Sequence, residues 1–516
     1  MVKSRVAVSV TESTVVRTPP VASGTVRAAG SAALVGLLTT LVCAHVIVFS
    51  QTLAYYGDEG FDLLSAQLIV AGKKPYLDFF YQHPAFYAYA TATWMRLFGD
   101  GWRGLHLFSA LFTCGSIAVS ALYVHSRWHR ASSPWRAAAV ISLLVLIDGQ
   151  RQIVAFGTVS QAYGACLFFC VCAFYLATTA QRRKTSVWVF GSGLCAGAAA
   201  ASSLLTFPVV PIILLWLLWH AERSARLRWL VSYSAGLAVP FLPMAWLFAR
   251  APRQVVFDTV AYHLFYRHQV WSYHLDLMAL QSLASPQALL LAGLGLIGFM
   301  FVAGQGRSET PYRDELLLAG ALAGGLAGFA AITRPTFDQY FVMSFPFAAI
   351  LAPVGVRAVS TRLLTTWQRP AVAVIGVVPL LLPAARTVHQ LIAAAYRPWV
   401  GLEAIGRHVD RVTPPGGWIL ANDLVYVAAH RFPRPGLEND FSADLPPEAA
   451  ARTGLNAPSQ AQVEQWFHDR RFDTFAVCPT ASSSYAPWLL EIYRQHTKMP
   501  YDSLSRACEI FWDPRR

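Results

Sequence analysis

The chain has 516 residues and a formal net charge of +13, with 55% hydrophobic and only 13% charged residues. A soluble domain carries about 25% charged residues, so half the usual charge is missing and a wholly soluble protein is excluded. The basic excess does not point to a nucleic-acid partner, because the Lys and Arg residues sit mainly in short loops between apolar runs, where the positive-inside rule puts them.

Long apolar runs fill most of 28–390, whereas 397–516 reads as ordinary soluble sequence. This predicts a membrane domain followed by a globular domain of about 120 residues. Residues 1–27 are polar, rich in Ser, Thr and Val, and are expected to be a disordered cytoplasmic N-terminus. The first apolar run, 28–50, follows Arg17 and Arg27, is longer than a signal-peptide core and lacks a small-x-small cleavage site. It reads as an uncleaved anchor. Further spans are predicted near 103–124, 135–149, 154–179, 187–202, 204–220, 228–249, 285–304, 315–333, 340–358 and 370–390, about eleven in all. Alternate loops are basic: Arg127/Arg130/Arg136, Arg182/Arg183/Lys184, Arg223/Arg226/Arg228, Arg307/Arg313 and Arg357/Arg362/Arg369. With that count they share the cytoplasmic side with the N-terminus. The opposite face then receives 54–102, 250–284, 333–339 and the C-terminal domain. The expected location is an inner or plasma membrane, spanned many times.

The first outer loop, 54–102, is too polar to be a span. Asp58-Glu59-Gly60 leads into a short amphipathic helix, 61–71, ended by Gly72. Lys73-Lys74-Pro75-Tyr76 and Asp78-Phe79-Phe80-Tyr81-Gln82-His83-Pro84 follow, then a second helix over 85–98 that is too short to cross about 30 Å of hydrocarbon. Both helices should lie at the interface. The second outer loop, 250–284, crowds Tyr262, His263, Tyr266, Arg267, His268, Trp271, Tyr273 and His274 together. Such a surface suits a phosphorylated lipid or a sugar, or is simply an aromatic belt at the membrane surface. Asp148 and Arg151, on an outer turn, read as a local ion pair.

In the C-terminal part, strands are expected from Trp418, over 472–478 and over 508–512, with helices near 399–412, 459–470 and 486–496. The alternation suggests a small α/β domain. Six of the eight cysteines lie in apolar segments and read as small hydrophobes, while Cys478 and Cys508 either form a disulfide or remain free thiols. No Gly-rich phosphate loop or nucleophile elbow is present, and no metal or other obligatory cofactor is indicated.

One chemistry fits an outward acidic pair beside cations. Glycosyl transfer needs a base to take the proton of an acceptor hydroxyl. A lipid phosphate leaving as an anion needs positive charge rather than an acid. Here the residues match a family. Tyr56-Gly-Asp58-Glu59-Gly60, then Gly72-x-x-Pro75-Tyr76-x-Asp78-Phe79-Phe80-Tyr81-x-His83-Pro84 and Phe98-Gly99, resembles the first outer loop of the family 39, GT-C-fold glycosyltransferases, which include protein O-mannosyltransferases and lipid A aminoarabinose transferases. Arg334-Pro335 with Tyr340-Phe341 and Pro346 resembles the start of a late span in that family. The resemblance implies a GT-C membrane domain with a C-terminal extracytoplasmic α/β domain. It also implies a polyprenyl-phosphate sugar donor, and Asp58 as base with Glu59 as the second acidic residue. The lipid A enzymes carry a Lys where this chain has His83, so Lys73, Lys74, His83, Arg267 and Arg334 are all candidates for the donor phosphate. Asp78, Tyr81 and Tyr340 are further site candidates. The acceptor is open: protein, glycolipid or polysaccharide. The alternative is a transporter or lipid flippase, which would be expected to carry mid-membrane charges or a repeated half; few such charges and no clear repeat are seen.

Overall fold

The structure is a computed structural model that describes residues 23–51, 58–267, 273–305, 312–363, 369–377, 400–439, 457–478, 488–500 and 507–515, with 445, 448 and 454. Among these, seven helices are long and apolar enough to cross a membrane: Ala32–Ser50, Trp102–Arg130, Tyr163–Arg183, Arg223–Arg250, Pro286–Gly304, Arg313–Ile332 and Asp338–Arg362. Three other expected spans are shorter helices, Ser133–Asp148, Ser186–Ser202 and Val209–His220. The last expected span begins as Arg369–Val377, and its remainder lies outside the described residues. Tyr56, Gly57, His268 and Trp271 lie outside them too.

Small residues let the helices close on one another, as membrane packing requires. Gly193 and Gly197 lie against the Tyr233 and Leu237 backbone, and Gly298 meets Gly355, so closely that no Cβ would fit. The predicted span at 154–179 is the main departure. Arg151–Phe156 is a separate short helix, and the span starts only at Tyr163. The break occurs at Gly157, whose carbonyl accepts from Thr113 Oγ1 at 2.6 Å, and Thr158 Oγ1 returns a bond to the Val154 carbonyl at 2.6 Å. Side chains thus satisfy the backbone groups that a continuous helix would have used. Asp148 does not pair with Arg151; its Oδ1 lies 2.7 Å from His45 Nδ1 of the first span.

The first long loop forms helices Glu59–Val70 and Phe86–Phe98. The second forms Pro252–Val256, a wide π-helical stretch Phe257–Tyr266, and helix Tyr273–Leu283. The C-terminal part contains helix 400–412 and a four-stranded sheet in the order β1-β2-β4-β3: β1 Ile419–Ala421, β2 Thr474–Val477, β3 Tyr493–Pro500 and β4 Ala507–Pro514. β1 and β2 are parallel; β4 is antiparallel to both β2 and β3. The helix expected over 486–496 is overruled here. Among the described residues of that stretch only Leu489–Ile492 is helical, and Tyr493 onward pairs with β4, Tyr493 opposite Pro514 and Thr497 opposite Ile510. Local pattern loses to cross-strand pairing that completes the ladder of an otherwise open β4. Cys478 and Cys508 are disulfide-bonded, joining the end of β2 to β4.

The C-terminal part packs on the loop 58–101. Phe61, Leu64 and Leu68 share one core with Ile405, Val425 and Tyr426. Gly60 makes this contact possible, since a Cβ there would stand 2.8 Å from Leu424 Cγ.

Candidate active site

The acidic pair separates at the start of helix Glu59–Val70. Asp58 occupies the N-cap position yet makes no capping hydrogen bond with its side chain. An Asp there ordinarily accepts a backbone N–H from the first turn; this one faces a cavity of about 500 Å³ instead. Glu59 points the other way and is fully buried. Its Oε1 accepts the Ser160 N–H at 2.9 Å and lies 2.5 Å from His106 Nε2. His106 Nδ1 is 2.9 Å from the Ser50 carbonyl, which can only accept, so that nitrogen carries a proton. A second proton must then lie between Nε2 and Glu59. Glu59 therefore ties the helix to two spans and to the turn created by the break at Gly157.

Asp58, Tyr81, His83, Arg267, Arg334 and Tyr340 all line the cavity. The remaining sequence candidates do not. Lys73 and Lys74 line a separate cavity of about 430 Å³ with Arg96 and Trp246, and Asp78 Oδ2 accepts the Lys74 backbone N–H at 2.7 Å, shaping that turn. Asp62, Gln161, Tyr163 and His263 also line the main cavity. Asp62 was legible in principle, because it stands four residues after Asp58 and so shares its helix face. Gln161 and Tyr163 were hidden by the span predicted across them.

The π-helix sets the second wall. Asp258 Oδ2 accepts the Tyr81 N–H at 3.0 Å, and His263 Nε2 donates to the Gln82 carbonyl at 2.7 Å. In an α-helix residues five apart diverge by about 140°. Winding with i→i+5 bonds returns them towards one face, so Asp258 and His263 clamp consecutive residues of the first loop. Arg267, at the end of the same stretch, donates to the Tyr340 hydroxyl. Arg334 is otherwise engaged: Nη1 donates to the carbonyls of Ala331 (2.6 Å) and Thr333 (3.1 Å), and Nε lies 3.5 Å from Asp276.

Burial and charge divide the titratable groups. Asp58 is open to water through the cavity but enclosed by protein, and that desolvation raises its pKa against the pull of Arg267. Asp62 is pushed up much further by burial, then by the charges of Asp58 and Glu59. Two carboxyls one helical turn apart in an enclosed site resist ionising together, and of the two Asp62 is held the more strongly in its neutral form. His83 is lowered to about 3 and His263 to about 4, both first by burial. Neither imidazole carries charge at neutral pH, so the cavity's positive charge comes from Arg267 and Arg334. Among the described residues no group of three or more His, Cys, Asp or Glu is arranged to hold a metal ion.

No family model matches the chain, and no curated protein matches it in sequence. Solved structures do. ArnT from Cupriavidus metallidurans, in the apo state, superposes with a TM-score of 0.62 at 16% identity over 92% of this chain and 97% of that one. Its complex with undecaprenyl phosphate gives 0.61 at 16% identity over 95% and 98%. The Archaeoglobus fulgidus oligosaccharyltransferase, in its complex with Zn and sulfate, gives 0.54 at 14% identity over 85% and 68%. The chain has the GT-C fold, the fold of membrane glycosyltransferases.

Proposed function

We propose that this protein is an integral membrane glycosyltransferase that moves a sugar from a polyprenyl-phosphate carrier to an acceptor hydroxyl, with Asp58 as general base. The observation that carries the reading is the uncapped Asp58 carboxyl facing a cavity that Arg267 also lines, close enough for its charge to act on Asp58. The base takes the acceptor proton as the hydroxyl attacks the anomeric carbon; Arg267 balances the phosphate that leaves. No metal is required by this scheme. Arg334 helps at the cavity edge, His83 and Tyr81 shape the sugar subsite as neutral hydrogen-bonding and stacking groups, and Glu59 orients the helix that carries Asp58. The carrier class is supported by the undecaprenyl phosphate bound to ArnT and the dolichol-phosphate bound to the archaeal oligosaccharyltransferase AglB, which matches at a TM-score of 0.52 and 12% identity.

The reaction faces the non-cytoplasmic side. Loop charges support this, and so does the Cys478–Cys508 disulfide, since such bonds persist in oxidising compartments. The test is transfer from a polyprenyl-phosphate sugar in proteoliposomes: Asp58→Asn should abolish it with folding intact, and full activity in that variant overturns the assignment. Labelling of Gln465→Cys, an exposed C-terminal position, by an impermeant reagent on intact cells tests the orientation; labelling only after permeabilisation reverses it.

A further inference from the structure

A second cavity, of about 410 Å³, lies at the end of the bundle remote from Asp58, between the ends of spans Trp102–Arg130, Pro286–Gly304, Arg313–Ile332 and Asp338–Arg362. Arg127, Arg130 and Arg357 line it. Their roles differ. Arg127 is buried, and its Nε donates to Glu315 at 2.6 Å, so its charge is neutralised and it forms part of the wall. Arg130 and Arg357 are exposed, and among the described residues no carboxylate lies within ion-pair distance of either. Arg357 is nonetheless held in place: its guanidinium sits 5.7 Å from the ring centroids of both Trp128 and Trp135. Two indole faces order a flexible side chain without cancelling its charge, which lowers the entropy lost when it binds an anion.

The rest of the cavity is apolar. Ile350, Val354 and Phe301 line it, and Phe301 continues a row of exposed apolar residues, Leu296, Ile297 and Met300, along the lipid-facing side of its span. A loop charge bias predicts arginines at this end. It does not predict a concave site with two unneutralised guanidinium groups at its mouth and a hydrocarbon wall running out towards lipid.

We propose that this cavity binds an anionic phospholipid of the adjoining leaflet, its phosphate between Arg130 and Arg357 and one acyl chain along Phe301. A soluble phosphate would gain nothing from the apolar wall, which is why the lipid is the occupant. The bound lipid would bridge the ends of four spans far from the reacting groups.

Full-length protein purified in a neutral detergent would be titrated with phosphatidylglycerol or phosphatidylcholine and read by native mass spectrometry and melting temperature. Wild type should retain phosphatidylglycerol preferentially. Arg130→Gln combined with Arg357→Gln should weaken that retention by about tenfold or more, at about one headgroup contact per cation. Arg223→Gln combined with Arg226→Gln, which removes equal charge from another loop at the same end, should not. Arg130→Gln alone guards against loss of the indole stack and should give a partial effect. Equal retention in the Arg130/Arg357 variant, an equal loss in the loop control, or equal retention of phosphatidylcholine each overturns the site. Stabilisation by inorganic phosphate to the same degree would overturn the lipid as its occupant.

Discussion

Replacing Arg267 by Gln removes the best-placed positive charge from the cavity while keeping a side chain able to bond the Tyr340 hydroxyl. Two effects follow, and they have different signatures. A hydrogen bond to a charged partner contributes about 1.5–3 kcal/mol, so losing the bond to a departing phosphate should lower kcat/KM by about 10- to 150-fold at tenfold per 1.36 kcal/mol. The second effect acts through Asp58. Its pKa is raised by burial and pulled back by Arg267, so the substitution raises it further. Under the proposed mechanism Asp58 acts as a base only when ionised, so activity should fall as pH drops through its pKa. The acid limb of the pH–rate profile should therefore move to higher pH in Arg267→Gln, making the deficit larger near about pH 5 than near about pH 8. The assay is initial-rate sugar transfer from a polyprenyl-phosphate donor in proteoliposomes across that range. Arg267→Lys should restore the limb more fully than the rate, because an ammonium supplies charge without the bidentate fork. A deficit independent of pH, or a limb that moves to lower pH, would refute the coupling of Arg267 to Asp58.

Glu59→Ala leaves His106 without its buried partner and should destabilise the protein by about 3–5 kcal/mol, seen as a lower melting temperature in detergent; an unchanged melt would mean that Glu59 does not anchor the helix. Gly60→Val drives a side chain into Leu424 and should cost about 1–3 kcal/mol, with faster proteolysis of the C-terminal part. Cys478→Ser with Cys508→Ser should lower stability by about 2–5 kcal/mol and abolish the response to reductant. Glu438 is buried and raised from about 4.5 to about 7, so the folded state favours its protonated form. Stability should then fall by up to about 3 kcal/mol as pH rises between those values, and Glu438→Gln should flatten that slope in melts taken across it.

The sequence alone determined the membrane class, the alternation of loop charge and the polar first loop with its acidic pair, because hydrocarbon thickness and charge transfer act on short stretches that composition records directly. It also named five of the residues that share the cavity with Asp58: Tyr81, His83, Arg267, Arg334 and Tyr340. It separated Asp58 from Glu59 only through the family resemblance, since adjacent positions on a helix look alike in sequence but lie about 100° apart around its axis. Only the fold shows one facing a cavity and the other buried against His106 and Ser160. Tertiary structure likewise decided that His83 and His263 are uncharged, that Lys73 and Lys74 belong to another cavity, and that Tyr493–Pro500 is a strand. Each depends on burial or on pairing with another segment, whether the π-helix about 180 residues on or β4. Such contacts exist only once the spans have packed, and no local pattern encodes them.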